Sequence, residues 1–341
     1  MTGFEVLAPG LLTSVQDQGR YGRQRVGMSP AGAMDSHSLA LANLLVGNPT
    51  GAGGLECTFL GPTLRFEAAN TIALTGADMS PTLDGVPLPM GQAVPVAAGS
   101  VLKLNGAKNG CRCYIAFHGG LDLPLVDGSQ ATLLRSGIGG LEGRKLAAGD
   151  RIGFSAPDPA LPNLTLRRLA RPQHFEKEIT VRVVPGPQDD RFTQAGLNTF
   201  FGCPFKVSSR CDRMASRLEG PAVEHLTDAN IPSDGIPLGA VQIPGDGQPI
   251  IMMSEHQGSG GYTKIANVIS VDIPLVAQCP PGAKIRFQAV SVEESQQLYL
   301  AQLEEYRRLQ TAFEMDYRDI FRISVNGQET VVGVALRRDD D

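Results

Sequence analysis

The sequence predicts a mainly β protein with two β-barrel domains and a few helices. Forty glycines and 24 prolines in 341 residues, with no tryptophan, indicate many turns between short strands rather than a helical bundle. The length suits two domains of ordinary size. A short sequence pattern recurs in which a glycine precedes a strand of alternating residues. This weak repeat favours one β-barrel module on each side of a linker. The pattern occurs at residues 96–104, 146–154 and 279–287.

Six segments are predicted to form strands because each is short, rich in β-branched or aromatic residues and bounded by Gly, Pro or Asn. The tail is expected to form a hairpin, because Asn326-Gly327 suits a type I′ turn between residues 321–325 and 328–335. The six strands are expected at residues 70–77, 101–107, 112–119, 179–186, 284–290 and 321–325.

Two helices interrupt this β pattern. Residues 36–47 follow Asp35 with apolar residues at helical spacing, and they end in a glycine with a proline shortly beyond. A second helix is predicted over residues 292–315, where Ser291 and Glu294 form a capping box at its start. Its mostly apolar stripe favours packing on the core over binding of a partner.

The linker is placed at residues 158–178, which contain prolines and basic residues and show little periodicity. The first domain is therefore expected at residues 1–160. The second is expected at residues 175–341 and includes the C-terminal helix and the hairpin. The short basic cluster at residues 167–171 is expected to be solvated.

Composition narrows the cellular setting and the class of partner. A formal net charge of -5 argues against a nucleic-acid partner, which requires a basic face. No stretch approaches the roughly 20 apolar residues of a membrane span, and the N-terminus does not resemble a signal peptide. Six cysteines in a chain of this length are not a disulfide scaffold. These features predict a cytoplasmic protein with reduced thiols and no membrane partner.

Common cofactor and nucleophile motifs are absent from the sequence. There is no phosphate-binding loop and no G-x-S-x-G elbow, and residues 137–144 do not keep dinucleotide-binding spacing. The five histidines are scattered, and Cys111 and Cys113 are expected to be buried thiols rather than metal ligands. No Met-Lys-Met stretch is present for biotin attachment. We therefore expect no metal and no cofactor on this chain, which favours a component of a larger enzyme.

Three glycine-rich clusters carry the polar residues of interest, at residues 15–35, 208–221 and 239–266. Polar side chains on glycine-rich loops between strands are how a β-barrel usually presents a site. A structural explanation remains open for each cluster. Asp17 and Asp35 could cap turns or helices, and the arginines could pair with surface carboxylates.

Together these clusters resemble the KipA family, also called allophanate hydrolase subunit 2, which is the A/B part of a biotin-dependent carboxyltransferase domain. The resemblance covers roughly residues 4–292, and it implies two cyclophilin-like β-barrels. The matching residues are Gln16-Asp17, Gly19-Arg20, Gly22, Gly27, Gly32, Asp35, Leu55-Glu56, Gly61-Pro62, 75–77, 118–122, 128–129, Thr132, 139–150, 185–192, 212–221, 239–250 and 260–270.

The resemblance implies a subunit of a 5-oxoprolinase-like, ATP-dependent amidohydrolase complex that acts on a small lactam or amide. Its expected partners are a KipI-type protein (allophanate hydrolase subunit 1) and a LamB/YcsF-type subunit, with ATP used by the complex rather than by this chain. One alternative is a urea-carboxylase-like carboxyltransferase subunit, with biotin on another chain. Another is a non-catalytic regulator that binds a KipI-type inhibitor.

Amide chemistry suggests a role for each residue type within this resemblance. Carboxylates can accept a proton from an amide nitrogen, cations can face a developing oxyanion, and glutamine amides complement an amide edge. The catalytic candidates are Asp17, Arg20, Asp35, Arg213, Glu255 and Lys264. The substrate-binding candidates are Gln16, Gln242, Gln257, Gly260, Gly261 and Tyr262.

Two departures from the family pattern leave the substrate open. The family usually carries an aspartate, one residue and then Gln-Thr-Thr before Gly-Gly-Tyr, where this chain has residues 255–259 as Glu-His-Gln-Gly-Ser. Ala215 stands where glycine is common.

We also expect Arg20 and Arg213 to lie on surface loops, where substitution would change stability little.

Overall fold

The computed structural model describes residues 2–156, 161–317, 319–325 and 328–335. Its first β unit is made of two stacked sheets and one helix. Phe4, Phe66, Phe117 and Phe154 meet in the core of this unit, where Phe4 stacks on Phe117 with ring centroids 4.9 Å apart. The elements of the first unit are β1 (Gly3–Ala8), β2 (Leu12–Gln16), α1 (Ser36–Leu45), β3 (Gly54–Thr58), β4 (Thr63–Phe66), β5 (Asn70–Asp78), β6 (Thr82–Leu83), β7 (Val86–Pro87), β8 (Ala93–Val96), β9 (Val101–Lys103), β10 (Asn109–Phe117), β11 (Leu121–Asp122) and β12 (Arg151–Phe154).

The two sheets of the first unit run in the orders β11-β12-β1-β4-β9-β6-β7 and β2-β3-β10-β5-β8. Helix α1 covers the outer face of the second sheet, where Ala42 and Leu45 pack against Ala73 of β5 and Ala116 of β10. Because β5 is covered on both faces, its residues are buried from Asn70 to Ala77 without the alternation of a half-exposed strand.

The second β unit is a closed barrel. Its strands run in the order β13-β20-β14-β15-β18-β17-β19, and β19 pairs back with β13, while β16 is added to the outer side of β19. Met34, from the glycine-rich loop of the first unit, enters the core of this barrel. The elements are β13 (Glu178–Pro185), α2 (Gln194–Gly202), β14 (Phe205–Val207), β15 (Ala215–Glu219), β16 (Asn230–Gly235), β17 (Ala240–Ile243), β18 (Ile250–Met252), β19 (Ser259–Val268), α3 (Ile273–Ala277) and β20 (Lys284–Ala289).

A long helix and a hairpin complete the chain. Helix α4 (Val292–Glu314) begins at the predicted capping box, in which Ser291 and Glu294 bond reciprocally to each other's backbone amide. Its C-terminal end packs on α1, with Phe313 against Ala42. The hairpin strands are β21 (Asp319–Val325) and β22 (Gln328–Val334), and the predicted Asn326-Gly327 turn lies outside the described residues.

The mainly β fold class is confirmed, and each of the six predicted strands overlaps an observed strand. Both predicted helices are present, whereas α2 and α3 were not predicted because nine- and five-residue helices show too few turns for a periodic pattern. Cys111 and Cys113 are buried, as expected. Within the described ranges, no helix has the length and apolarity to cross a membrane.

The expectation that the basic cluster is solvated is wrong for Arg167, which is 2% exposed. Its Nη1 donates to the carbonyl of Leu44 at 3.2 Å, and its Nε donates to the carbonyl of Pro162 at 2.7 Å. The last carbonyls of a helix have no partner inside the helix. Arg167 therefore caps the end of α1, and its guanidinium also lies over the ring of Phe313.

Candidate functional site

The predicted site residues separate into three groups, and the first lies inside the first β unit. Asp17 follows β2, where its Oδ1 accepts hydrogen bonds from the Gly19 amide and the Ser129 hydroxyl, both at 2.7 Å. Its Oδ2 accepts from the Gln130 amide at 2.6 Å. Both oxygens are thus occupied by protein donors, which matches the turn-capping alternative rather than a free base.

Gln16 and Arg20 belong to the same group, and both are at most 1% exposed. The Gln16 Nε2 donates to the Thr132 carbonyl at 3.1 Å, and the Arg20 Nη2 donates to the Ala131 carbonyl. Among the described residues, Gln16 Oε1 and Arg20 Nη1 have no hydrogen-bond partner. A side chain at Gly139 would meet the Ala131 carbonyl oxygen at 2.1 Å, so glycine is required where this segment closes over Arg20.

Asp35 caps α1. Its Oδ1 accepts from the Ser38 amide at 2.8 Å, and its Oδ2 accepts from the Ser38 hydroxyl at 2.5 Å and from Gln278 Nε2 at 2.7 Å. Burial raises the pKa of this carboxyl, against the opposing effect of those hydrogen bonds. The structure therefore places Asp35 as a helix cap that also links the first unit to the second.

The second group is an ion network between the two units, which we call the interface network: Arg213, Glu255 and Glu56. Arg213 Nε donates to Glu255 Oε1 at 2.6 Å, its Nη1 donates to Glu56 Oε1, and its Nη2 donates to the Gly32 carbonyl at 2.5 Å. Burial alone lowers the pKa of Arg213, but the two carboxylates outweigh it and raise that pKa. The expected surface position of Arg213 is wrong, since the residue is 5% exposed.

Glu56 anchors the network on the first unit. Its Oε2 accepts from the Tyr114 hydroxyl at 2.7 Å and from the Met34 amide at 2.8 Å. The Tyr114 hydroxyl in turn accepts from the Asp35 amide at 2.8 Å. Every polar group of Glu56 is thus used, and the glycine-rich loop is fixed between the units. Arg20 likewise does not lie on the surface, because the 126–131 segment covers it.

The third group lies on the second barrel, where Gln242 of β17 pairs directly with Lys264 of β19. Side chains of directly paired residues lie on the same face of a sheet. The Lys264 Nζ is 2.9 Å from Asp234 Oδ2, and its side chain is 3% exposed, against 53% for Asp234. The hydrogen bond and charge of Lys264 lower the pKa of Asp234. Gln188 accepts from the Lys264 amide at 3.1 Å.

Gly260 packs so closely beside Gln242 that a larger side chain would not fit there. A Cβ placed there would lie 2.6 Å from Ile236 Cδ1, 2.8 Å from Gln257 Nε2 and 3.3 Å from Gln242 Nε2. Gln242 is 3% exposed, and its Nε2 is buried without a partner among the described residues. We call the cluster of Gln242, Gln257, Gly260 and Lys264 the amide cradle.

The edge of the amide cradle lies at the protein surface. Gln257 is exposed, and Tyr262 is 40% exposed. The first unit reaches its rim, because a Cβ at Gly258 would lie 3.5 Å from the carbonyl oxygen of Gln24. Two residues at its edge are thus exposed, whereas Gln242 and Lys264 are buried.

The structure therefore brings together four predicted residues, Gln242, Gln257, Gly260 and Lys264, with Gly261 and Tyr262 beside them on β19. It places the remaining predicted residues elsewhere, in the first unit or in the interface network. Sequence reasoning missed Asp234 and Gln188 as partners of Lys264, and Glu56 as the partner of Arg213. Glu56 and Gln188 lie within the motifs that carry the family resemblance. A motif does not show which distant residue each of its members contacts.

No group of three or more His, Cys, Asp or Glu side chains is arranged to hold a metal ion in the part of the chain that the structure describes. The chain belongs to the family of the carboxyltransferase domain, subdomain A and B, whose model matches residues 26–289. The match includes the interface network and all of the second barrel, and it leaves out β1 and β2 of the first unit.

Two kinds of relative carry functional names. The chain is 39% identical to a 5-oxoprolinase subunit of Escherichia coli (strain K12) over 308 residues, which cover 88% of this chain and 97% of that protein. It is 32% identical to urea amidolyase of Saccharomyces cerevisiae over 314 residues, but these cover only 17% of that protein. The crystal structure of the K. lactis urea amidolyase matches 90% of this chain and 20% of its own, with a TM-score of 0.83 and 32% identity.

Proposed function

We propose that this chain supplies a substrate-binding site to a 5-oxoprolinase-like, multi-subunit hydrolase that acts on a small lactam. Homology to a 5-oxoprolinase subunit over nearly the full length of both chains supports this reaction class. The observation that carries the proposal is the unpartnered, buried amide of Gln242, which shares a sheet face with Lys264 and lies near the exposed Gln257.

The cradle offers complementary contacts to a lactam that carries a carboxylate, such as 5-oxoproline. Lys264 has three N–H donors, and one of them is directed at Asp234, so others remain for a substrate carboxylate. Gln242 Nε2 can donate to the lactam carbonyl, and the amide of Gln257 has both a donor and an acceptor.

The chemistry of hydrolysis requires more than this chain provides. A five-membered lactam is an unstrained amide, so its hydrolysis needs coupling to ATP, and the sequence has no phosphate-binding loop. Asp17, Asp35 and Glu255 are engaged by protein donors, and the lowered pKa of Asp234 makes it a weak base. We therefore assign ATP use and proton transfer to partner subunits, of the KipI type and the LamB/YcsF type.

The test is glutamate release from 5-oxoproline by the reconstituted complex. We expect turnover only with ATP, this chain and both partner subunits present. Gln242→Leu should raise KM or lower kcat by about tenfold or more, since a lost hydrogen bond to substrate in a buried site costs about 1–3 kcal/mol. The matched control is Gln248→Leu, a partly exposed glutamine that bridges Gly220 away from the cradle. Equal activity of Gln242→Leu and the parent would exclude the cradle as the substrate site.

A second candidate function is carboxyl transfer to a small amide, with biotin carried by another chain. The family description and the structural similarity to urea amidolyase favour it. Urea has no carboxylate, so a urea site would leave Lys264 without its expected ligand group. Urea-stimulated ATP consumption that depends on bicarbonate and biotin, without glutamate formation from 5-oxoproline, would select this alternative. Binding of the KipI-type partner with no turnover of either substrate would instead support a regulator.

A further inference from the structure

A ligand-sized groove lies between the two β units, and none of the amide-cradle residues lines it. The groove has a volume of about 360 Å³, which is within the range of small-molecule sites. Leu12 and Phe59 of the first unit and Met214 of the second form apolar parts of its wall. Thr58 and Arg112 add polar groups from the first unit. The proposed function does not use this groove.

Two buried donors in the groove lack partners. Thr58 is 6% exposed, and its Oγ1 makes no hydrogen bond with any described residue. The same holds for Arg112 Nε, which lies 4.0 Å from Glu56 Oε1, beyond hydrogen-bond distance. The guanidinium is fixed in place because its Nη1 donates to the carbonyl of Ala277 in the second unit. Buried donors of this kind are normally satisfied, so each indicates a place for an acceptor atom.

An acceptor lines the same groove. Glu255 Oε1 accepts from Arg213 Nε, whereas its Oε2 makes no hydrogen bond with the described residues. The groove therefore presents donors on the first unit and a carboxylate oxygen on the second. This combination complements a group that carries a hydrogen-bond acceptor and an N–H donor side by side, as an amide does.

The charges around the groove favour a neutral ligand over an anion. Arg112 and Arg213 face Glu56 and Glu255, so two positive charges are balanced by two negative charges. At the rim, the exposed Arg135 is matched by the exposed Asp212. Bringing an extra charge into a site that is already balanced costs desolvation without a free counter-ion.

We propose that this groove is a second binding site, for a small neutral amide with an apolar ring or chain. The amide carbonyl accepts hydrogen bonds from Arg112 Nε and the Thr58 hydroxyl, and the amide N–H donates to Glu255 Oε2. The apolar part of the ligand packs on Phe59 and Met214. The site differs in chemistry from the amide cradle, where Lys264 favours a carboxylate.

The test uses 2-pyrrolidinone as the probe and the full chain as the protein, with binding measured by ligand-observed NMR and calorimetry. We expect saturable binding of 2-pyrrolidinone and at least tenfold weaker binding of N-methyl-2-pyrrolidinone, which lacks the N–H donor. Both probes are tested on the unaltered protein, so this comparison does not depend on the folding of a variant. Equal binding of the two probes, or no saturable binding of either, would overturn the proposal.

A variant pair locates the probe. Thr58→Val removes only the hydroxyl and should weaken 2-pyrrolidinone about three- to tenfold, the effect of one neutral hydrogen bond. Thr63→Val makes the same change on β4, the next strand along the chain; Thr63 does not line the groove, so binding should be unchanged. Binding that survives Thr58→Val undiminished, or that is lost in Gln242→Leu instead, would assign the probe to another site and overturn the proposal.

Discussion

The interface network and the amide cradle come from the same kind of sequence, polar residues among glycines, yet their hydrogen bonds differ. In the network, all three nitrogens of the Arg213 guanidinium have protein acceptors, and both oxygens of Glu56 have protein donors. In the cradle, Gln242 Nε2 is equally buried but has no partner among the described residues. The difference indicates that the network holds the two units together, whereas the cradle contains a buried donor that no described residue uses.

The largest expected effect is on the interface network. Arg213→Ala should lower the free energy of unfolding by about 3–5 kcal/mol, because it leaves Glu56 and Glu255 as buried charges without their counter-ion. Urea denaturation followed by circular dichroism measures this change. The matched control is Arg217→Ala on β15, the strand that begins two residues after Arg213; Arg217 is exposed, and its loss should change stability by less than about 0.5 kcal/mol. Similar midpoints for the two variants would refute the structural role of Arg213.

Features whose partners are close in sequence could be predicted from the sequence alone. The caps of α1 and α4 follow from local residues, since Asp35 and Ser291 act on amides three positions away. Gln242 and Lys264 both lie in the glycine-rich cluster at residues 239–266, and the pairing of β17 with β19 brings them together. Local patterns of this kind are readable because partners are close in sequence.

The interface network could not be predicted in this way. Glu56 and Arg213 are separated by 157 residues and belong to different units. An arginine among glycines predicts an exposed loop, because charged residues are rarely buried without a partner. The carboxylates that pair with Arg213 are distant in sequence, so only the fold shows that its charge is buried. The same limit explains why Arg167 was expected in solvent, although the carbonyls of α1 required its donors.

Arg20 is a buried arginine without a bonded carboxylate, and its loss should reduce the free energy of unfolding less than the loss of Arg213, which has two. Arg20→Ala should cost about 1–3 kcal/mol, since it leaves the carbonyl of Ala131 without its donor but creates no isolated charge. Arg23→Ala, at a surface ion pair with Asp127, is the control and should cost at most about 1 kcal/mol. Denaturation midpoints again provide the measurement. A loss for Arg20→Ala as large as that for Arg213→Ala would contradict the distinction between paired and unpaired charge.

A third prediction concerns His256, which joins the network at Glu255 to the cradle at Gln257. Burial lowers the pKa of His256 below its ordinary value of 6.5. Below pH 6.5 the unfolded chain therefore binds a proton that the folded chain does not, so stability falls as the pH decreases through this value. His256→Gln should remove about 1 kcal/mol of the stability difference between pH 7.5 and pH 5.5.

The control for this pH effect is His174→Gln, whose parent side chain is 69% exposed and should contribute nothing comparable. Urea denaturation of the parent and both variants at the two pH values gives the comparison. If the parent and His256→Gln lost the same stability on acidification, the buried imidazole would not be the titrating group.

The smallest expected change in stability is at the cradle. Its size distinguishes a side chain available to a ligand from one that supports the fold. Gln242→Leu removes a buried donor that has no partner among the described residues, so unfolding free energy should change by less than about 0.5 kcal/mol or rise slightly. Gln278→Leu is the matched comparison, because that buried amide bonds to Asp35 and to the backbone of Cys111 and Arg112. It should lose about 2 kcal/mol or more, since several partners are left unpaired at once. Urea midpoints of the two variants, with unchanged dependence on denaturant, measure the contrast. Equal destabilisation would mean that Gln242 supports the barrel as Gln278 supports the interface, and the cradle would then have no bonding capacity reserved for a ligand.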